Sequence, residues 1–143
     1  MHCIITSTRN QPHKIMITFD QLILAIAIVE SSLNPLAVGD NGNAVGYLQI
    51  TPAVVEDVNT FYGTTYHTDD RYDIQKSVQM CKYYLKHWGE VYARKTGEEP
   101  SAEIYAKMWN GGCYAWRKTT PKVVKNLDIY WGKVNKQLDH LYK

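Results

Sequence analysis

Of the 14 acidic side chains in this 143-residue chain, Glu30 has the most unusual neighbourhood. It stands in the last turn of a continuous apolar stretch, with Ile23, Ile26 and Ala27 one or two turns earlier on the same helical face. Desolvation and the negative end of a helix dipole both disfavour a charged carboxylate there, so its pKa is expected above the ordinary range. Such a group can donate a proton to a leaving oxygen near neutral pH, which is what glycosidic bond cleavage requires. The position also suits a carboxylate that simply emerges into solvent as its helix ends. A second acid, Asp40, lies in the run Gly39-Asp40-Asn41-Gly42-Asn43. Asp-Asn-Gly is ordinary turn chemistry, and the turn role comes first for Asp40. The five histidines and three cysteines show no metal-ligand spacing, so no metal and no organic cofactor is expected. Cys3, Cys81 and Cys113 read as small buried or partly buried thiols, with one disulfide possible.

The elements that must position Glu30 follow from local signals. Thr18-x-x-Gln21 is a capping-box pattern with Asp20 in the first turn, which predicts a helix over 19–33 that Pro35 ends. Because Leu22 to Val29 is apolar on every side, this helix is expected to be buried at the centre of the domain. Asn41-Gly42 signals a hairpin with short strands. Thr51-Pro52 reads as an N-cap and first helical residue of a helix to about Asn59, and residues 60–72 as a loop. Ile74, Val78, Cys81, Leu85 and Trp88 recur at helical spacing, predicting a helix from Asp73 to about Arg94. Ser101 caps a short helix terminated by Gly111-Gly112. Thr120-Pro121 opens an amphipathic helix whose stripe carries Val123, Val124, Leu127, Tyr130, Trp131, Val134, Leu138 and Leu141. Residues 1–17 lack periodicity and read as an N-terminal arm or short extra helix. The expectation is a mainly α (α+β) single domain over 18–143, with a buried central helix, several surrounding helices and one small β-hairpin.

Composition narrows the function classes. The formal charge of +2 is spread over interspersed acids and bases, which argues against a nucleic-acid groove. The longest apolar run, Leu22 to Val29, is far short of the roughly 20 residues that span a bilayer, so no stable membrane insertion is expected. No export signal is visible, which for a substrate outside the cytoplasm implies phage-type or other non-standard delivery, or a leader missing from the sequence.

Three short motifs add a family resemblance. The stretch AIAIVESSLNPLAVGDNGNAVGYLQITP resembles the core of the soluble lytic transglycosylases and goose-type lysozymes of the lysozyme-like superfamily. In those enzymes a helix ends in a Glu-Ser pair, here Glu30-Ser31, and a turn and hairpin lead to Gly-Leu-Met-Gln, here Gly46-Tyr47-Leu48-Gln49. A third motif, Ala-Tyr-Asn-x-Gly, is similar to Lys107-Met108-Trp109-Asn110-Gly111-Gly112. With the segment Arg71 to Trp88, the likeness covers most of residues 20–135.

The resemblance implies an enzyme acting on peptidoglycan glycan strands, with Glu30 as general acid and then base. Ser31 would hold a sugar substituent, Gln49 would bond to substrate or to the surroundings of the carboxylate, Gly46 would permit close backbone approach, and Asn110 would line the cleft. Tyr47 stands in place of a family leucine. Trp109 replaces a tyrosine, and because an indole donates but cannot accept a hydrogen bond, Tyr105 is a candidate to supply that contact. Tyr47, Tyr62, Tyr66, Tyr105 and Trp109 suit the apolar faces of pyranose rings, whereas Trp88, Tyr130 and Trp131 read as core. The preferred chemistry is that of a lytic transglycosylase, one carboxylate closing a 1,6-anhydro ring. The alternatives are a hydrolytic lysozyme or endolysin using Glu30 with Asp40, and a non-catalytic wall-binding or virion structural module. For the first of these, residues 39–43 resemble the goose-type hairpin, whose aspartate would hold a water about 6.5 to 9.5 Å from the acid. The enzyme is expected to work as a monomer.

Overall fold

The computed structural model describes residues 4–6 and 16–142. Cys3 and most of the expected arm lie outside them. Strands β1 (Ile4–Thr6) and β2 (Met16–Thr18) pair antiparallel, with Ile4 opposite Thr18 and Thr6 opposite Met16. The reading of the arm as a short extra helix is therefore corrected where it can be checked. Its β-branched residues suit a ladder, and a second two-stranded sheet joins the single hairpin that was expected.

Five helices follow: α1 (Phe19–Ser31), α2 (Pro52–Tyr62), α3 (Ile74–Thr96), α4 (Ala102–Gly111) and α5 (Pro121–Tyr142). Strands β3 (Val38–Gly39) and β4 (Ala44–Val45) form the expected hairpin between α1 and α2. The chain divides into two compact units, one comprising residues 1–25 and 88–143, the other residues 26–87, so that α1 and α3 each contribute to both.

The capping box forms as its spacing requires. The Thr18 amide donates to Gln21 Oε1 at 3.0 Å and the Gln21 amide to Thr18 Oγ1 at 3.2 Å. Along α1, Leu22, Ile23, Ala25, Ile26 and Ala27 are fully buried on one broad face, whereas Leu24 and Ile28 on the other side are only half-buried, so the helix is not enclosed on every side as expected. The helix ends at Ser31, short of the expected residue 33, because Ser32 and Leu33 take left-handed backbone with φ of 53° and 66°.

In the first unit, α4 and α5 pack together. Ser101 caps α4, its hydroxyl accepting from the Ile104 amide, and Leu127, Tyr130, Val134 and Leu138 form the buried stripe of α5. In the second unit, Thr51 occupies the N-cap position of α2 without a side-chain capping bond, and Pro52 starts the helix through its fixed φ. That helix runs past Asn59 into the expected loop and stops at Gly63, whose φ is 63°. Asn59 then organises the return: Nδ2 donates to the Tyr66 carbonyl, and Oδ1 accepts from the Tyr66 amide and the Thr64 hydroxyl.

Candidate active site

Glu30 is half-buried at the C-terminal end of α1. On α3 the Cys81 thiol is completely buried; burial pushes its pKa well up, and the nearby Glu30 carboxylate raises it further. The two groups are thus within electrostatic reach of each other. Neither Cys81 nor Cys113, which is half-buried, is in a disulfide.

Directly after Glu30 the chain takes unusual conformations. All five positive-φ residues other than glycine among those described lie in this segment: Ser32, Leu33, Asp40, Asn41 and Gln49. Left-handed backbone is costly for a residue with a Cβ and persists only where surrounding contacts enforce it. Those contacts run from side chain to backbone. Ser31 Oγ lies 2.7 Å from the Tyr47 carbonyl and 3.2 Å from that of Ala27, and accepts from the Asn34 amide at 3.1 Å. Gln49 Nε2 donates to the carbonyls of Ala37 and Gly46 at 3.1 and 3.0 Å. The hydroxyl of Ser31, expected to hold a sugar substituent, and the amide donors of Gln49, expected to bond to substrate or to the surroundings of the carboxylate, make these bonds within the chain.

Gly46 does permit a close approach, but by this protein's own backbone. Its φ is 87°, and a Cβ there would overlap the carbonyl of Arg71. Tyr47 is half-buried between Gly46 and the fully buried Leu48. Asp40 is exposed, with a φ of 51°, and accepts a long 3.4 Å hydrogen bond from Asn43 Nδ2, as a turn residue does.

Arg71 was not among the expected site residues. It is 9% exposed, and its guanidinium donates to three carbonyls: Nε to Thr68 at 2.7 Å, and Nη1 to Asn43 at 3.0 Å and Ile50 at 2.9 Å. No local pattern announces this, since two of the partners are 28 and 21 residues away in sequence.

Glu30, Ser31, Asp40, Gly46, Tyr47 and Gln49 belong to the second unit, and Tyr105, Trp109 and Asn110 to the first. Tyr105 is buried; its ring meets Phe19 edge-on at 4.9 Å and lies where a Cβ on Gly89 would fall. Trp109 is half-buried and Asn110 exposed. Lys107, at the start of the third motif, bridges Glu103 and Asp128, each at 2.7 Å, joining α4 to α5. Burial draws its pKa down, but the hydrogen bonds and charges of Asp128 and Glu103 outweigh that and hold it above its ordinary value. Of the other aromatics, Tyr62 packs on Tyr83 at 4.5 Å and the Tyr66 hydroxyl donates to Gln79 at 2.8 Å. Trp88 meets Tyr114 edge-on, Tyr130 is buried and Trp131 half-buried.

Among the described residues no group of three or more His, Cys, Asp or Glu is arranged to hold a metal, and no helix is long and apolar enough to cross a membrane. The helices and the small hairpin after α1 define a lysozyme-like domain, and a solved structure supports that class: an inactive mutant of lytic transglycosylase Slt from Pseudomonas aeruginosa, with glutamine in place of a glutamate. It is similar to this chain with a TM-score of 0.54 and 16% identity, over 83% of this chain and 19% of its own length. The chain thus spans about a fifth of that protein. The family model described as the transglycosylase SLT domain matches residues 13–119, and the chain belongs to that family. No curated protein matches the chain in sequence.

Proposed function

We propose that this chain is a lytic transglycosylase that cleaves the β-1,4 bond between N-acetylmuramic acid and N-acetylglucosamine in peptidoglycan. The observation that carries the reading is the placement of Glu30: half-buried, at the negative end of a helix, within electrostatic reach of the fully buried Cys81 on α3. Glu30 gives its proton to the leaving glycosidic oxygen as the bond to C1 of the muramic acid breaks. The substrate's own N-acetyl oxygen stabilises the resulting cation. The Glu30 carboxylate then takes the proton of the C6 hydroxyl while that oxygen closes onto C1, which forms the 1,6-anhydro ring and restores the acid. No water is consumed and no second carboxylate is needed.

Asp40 supports the single-acid route, being an exposed turn residue bonded to Asn43. The inactive Slt mutant, in which a glutamate is replaced by glutamine, is consistent with one essential glutamate. Ser31 and Gln49 shape the segment around Glu30, while Tyr47, Tyr105, Trp109 and Asn110 remain the proposed saccharide contacts. Residues 18–143 would suffice as the catalytic domain, acting as a monomer.

The test is digestion of purified peptidoglycan followed by mass spectrometry of the fragments. Anhydro ends, lighter than reducing ends by one water, are expected. Reducing ends would instead show a hydrolase, and binding without turnover would show a non-catalytic module. Glu30→Gln keeps the shape and removes the proton donor, so the rate is expected to fall by at least about 100-fold. Wall clearance at an unchanged rate would refute the assignment.

A further inference from the structure

Arg71 is a buried cation whose hydrogen-bond partners are all backbone carbonyls, with no ion pair to a carboxylate among the described residues. Burying a guanidinium is expensive, and a merely space-filling residue could be apolar. What the charge secures is one short segment. Asn43 precedes β4 and Ile50 follows the 46–49 loop. Val45 and Ile50 exchange both backbone hydrogen bonds, at 3.2 and 3.0 Å, closing that loop. The Ile50 carbonyl therefore accepts from both the Val45 amide and the Arg71 guanidinium. Arg71 is itself held at two points. Its carbonyl accepts from the fully buried Ser77 hydroxyl at 2.8 Å, and its backbone lies against Gly46, where no side chain fits.

The loop so clamped reaches the end of α1 at Ser31. The Tyr47 carbonyl accepts the Ser31 hydroxyl at 2.7 Å, and Ser31 is the residue next to Glu30. A shift of the loop therefore moves or releases the last turn of α1.

We propose that Arg71 is a positioning residue for Glu30: by bonding the Asn43 and Ile50 carbonyls it fixes the 46–49 loop, whose Tyr47 carbonyl anchors the helix end that carries the acid. Arg71 touches no substrate in this role. The planar guanidinium explains the choice of arginine: Nη1 bonds the Asn43 and Ile50 carbonyls while Nε, rigidly fixed to it, bonds that of Thr68, and a lysine ammonium on its flexible stem has no second nitrogen to hold that geometry. The proposal rests on Glu30 as the proton donor and adds a regulator of that site's geometry.

The test uses the full chain as wild type, Arg71→Lys and Arg71→Ala. The measurements are kcat and KM on soluble peptidoglycan fragments well below each variant's Tm, and residue-resolved amide exchange. Misplacing a reacting group by about 1 Å can cost on the order of 100-fold. For Arg71→Lys a fall in kcat of about 10- to 100-fold is expected, with KM nearly unchanged and with faster exchange confined to residues 43–50 and the last turn of α1. For Arg71→Ala, guanidinium chloride below its denaturing range is expected to restore part of kcat, and sodium chloride at the same concentration to restore none.

A folded Arg71→Lys with wild-type kcat would overturn the proposal, whatever its exchange pattern. So would failure of both variants to fold, which would assign Arg71 to stability alone. An active wild type with unaffected variants would overturn the positioning role and leave the catalytic reading intact. A wild type that produces no glycan fragments would overturn both.

Discussion

The segment from Glu30 to Ile50 and the α4–α5 pair are built by opposite means. The first has two-residue strands and one 3-10 turn (Asp40–Gly42) as regular structure beyond the end of α1, five left-handed residues with side chains, and side-chain-to-backbone bonds from Ser31, Gln49 and Arg71 in place of a helical ladder. It also leaves Leu36 70% and Val38 63% exposed. The second is regular helix throughout, with Ala102, Ala106, Met108, Leu127 and Val134 buried and the Lys107 bridge across it. In the α4–α5 pair, positive φ is confined to Gly112, just past the end of α4. Strain is costly, and here it is concentrated beside the proposed acid while the helical pair carries none.

The sharpest way to break this contrast is to add one methyl group in each place. Gly46→Ala puts a Cβ into the Arg71 carbonyl on left-handed backbone, and is expected to destabilise by about 3 kcal/mol. Gly132 on α5 has open space around it, so Gly132→Ala is expected to stabilise by roughly 0.5–1 kcal/mol. Urea unfolding measures both, and equal effects would remove the contrast.

The two helix starts sharpen it next. Ser101→Ala deletes a cap that accepts from the Ile104 amide and should cost about 1 kcal/mol, whereas Thr51→Ala removes no capping bond and should cost only a few tenths. Thermal unfolding of the pair checks the order, and a larger loss at Thr51 would show a bond that the structure lacks.

The smallest effect is a difference in pH response. The Asp70 carboxylate accepts from the His67 amide at 2.8 Å and from Lys76 at 3.1 Å; the His67 bond first, then the Lys76 contact, hold its pKa below the ordinary value. A depressed folded pKa means stability that is present above the unfolded value of about 3.9 and lost as pH falls through the folded one. Lys107 has the reverse sign: its raised pKa gives stability that is present below the unfolded value of about 10.4 and lost as pH rises through the folded one. Acid should therefore loosen the Asp70 turn first, and strong alkali the α4–α5 pair. Each effect is expected to be under about 1 kcal/mol. Regional exchange rates for Asp70→Asn and Lys107→Met, which should flatten their respective limbs, test the signs.

Much of the scaffold was readable from residues a few positions apart. The Thr18–Gln21 box, the Ser101 cap, the start of α5 at Pro121 and the apolar run of α1 from Leu22 to Val29 all depend on neighbours within one or two turns, which a linear chain displays directly. Glu30 stood out for the same reason, because the apolar residues around it lie on its own helix. The partners of Ser31, Gln49 and Arg71 could not be read in that way. A hydroxyl, an amide and a guanidinium can each bond substrate or backbone, and only folding brought the carbonyls of Tyr47, Ala37, Asn43 and Ile50 within reach. The need for glycine at position 46 likewise arises from a carbonyl 25 residues later in the chain, that of Arg71. Local chemistry chose the helices and singled out the acid; long-range backbone contacts decided which polar side chains hold the loop beside it.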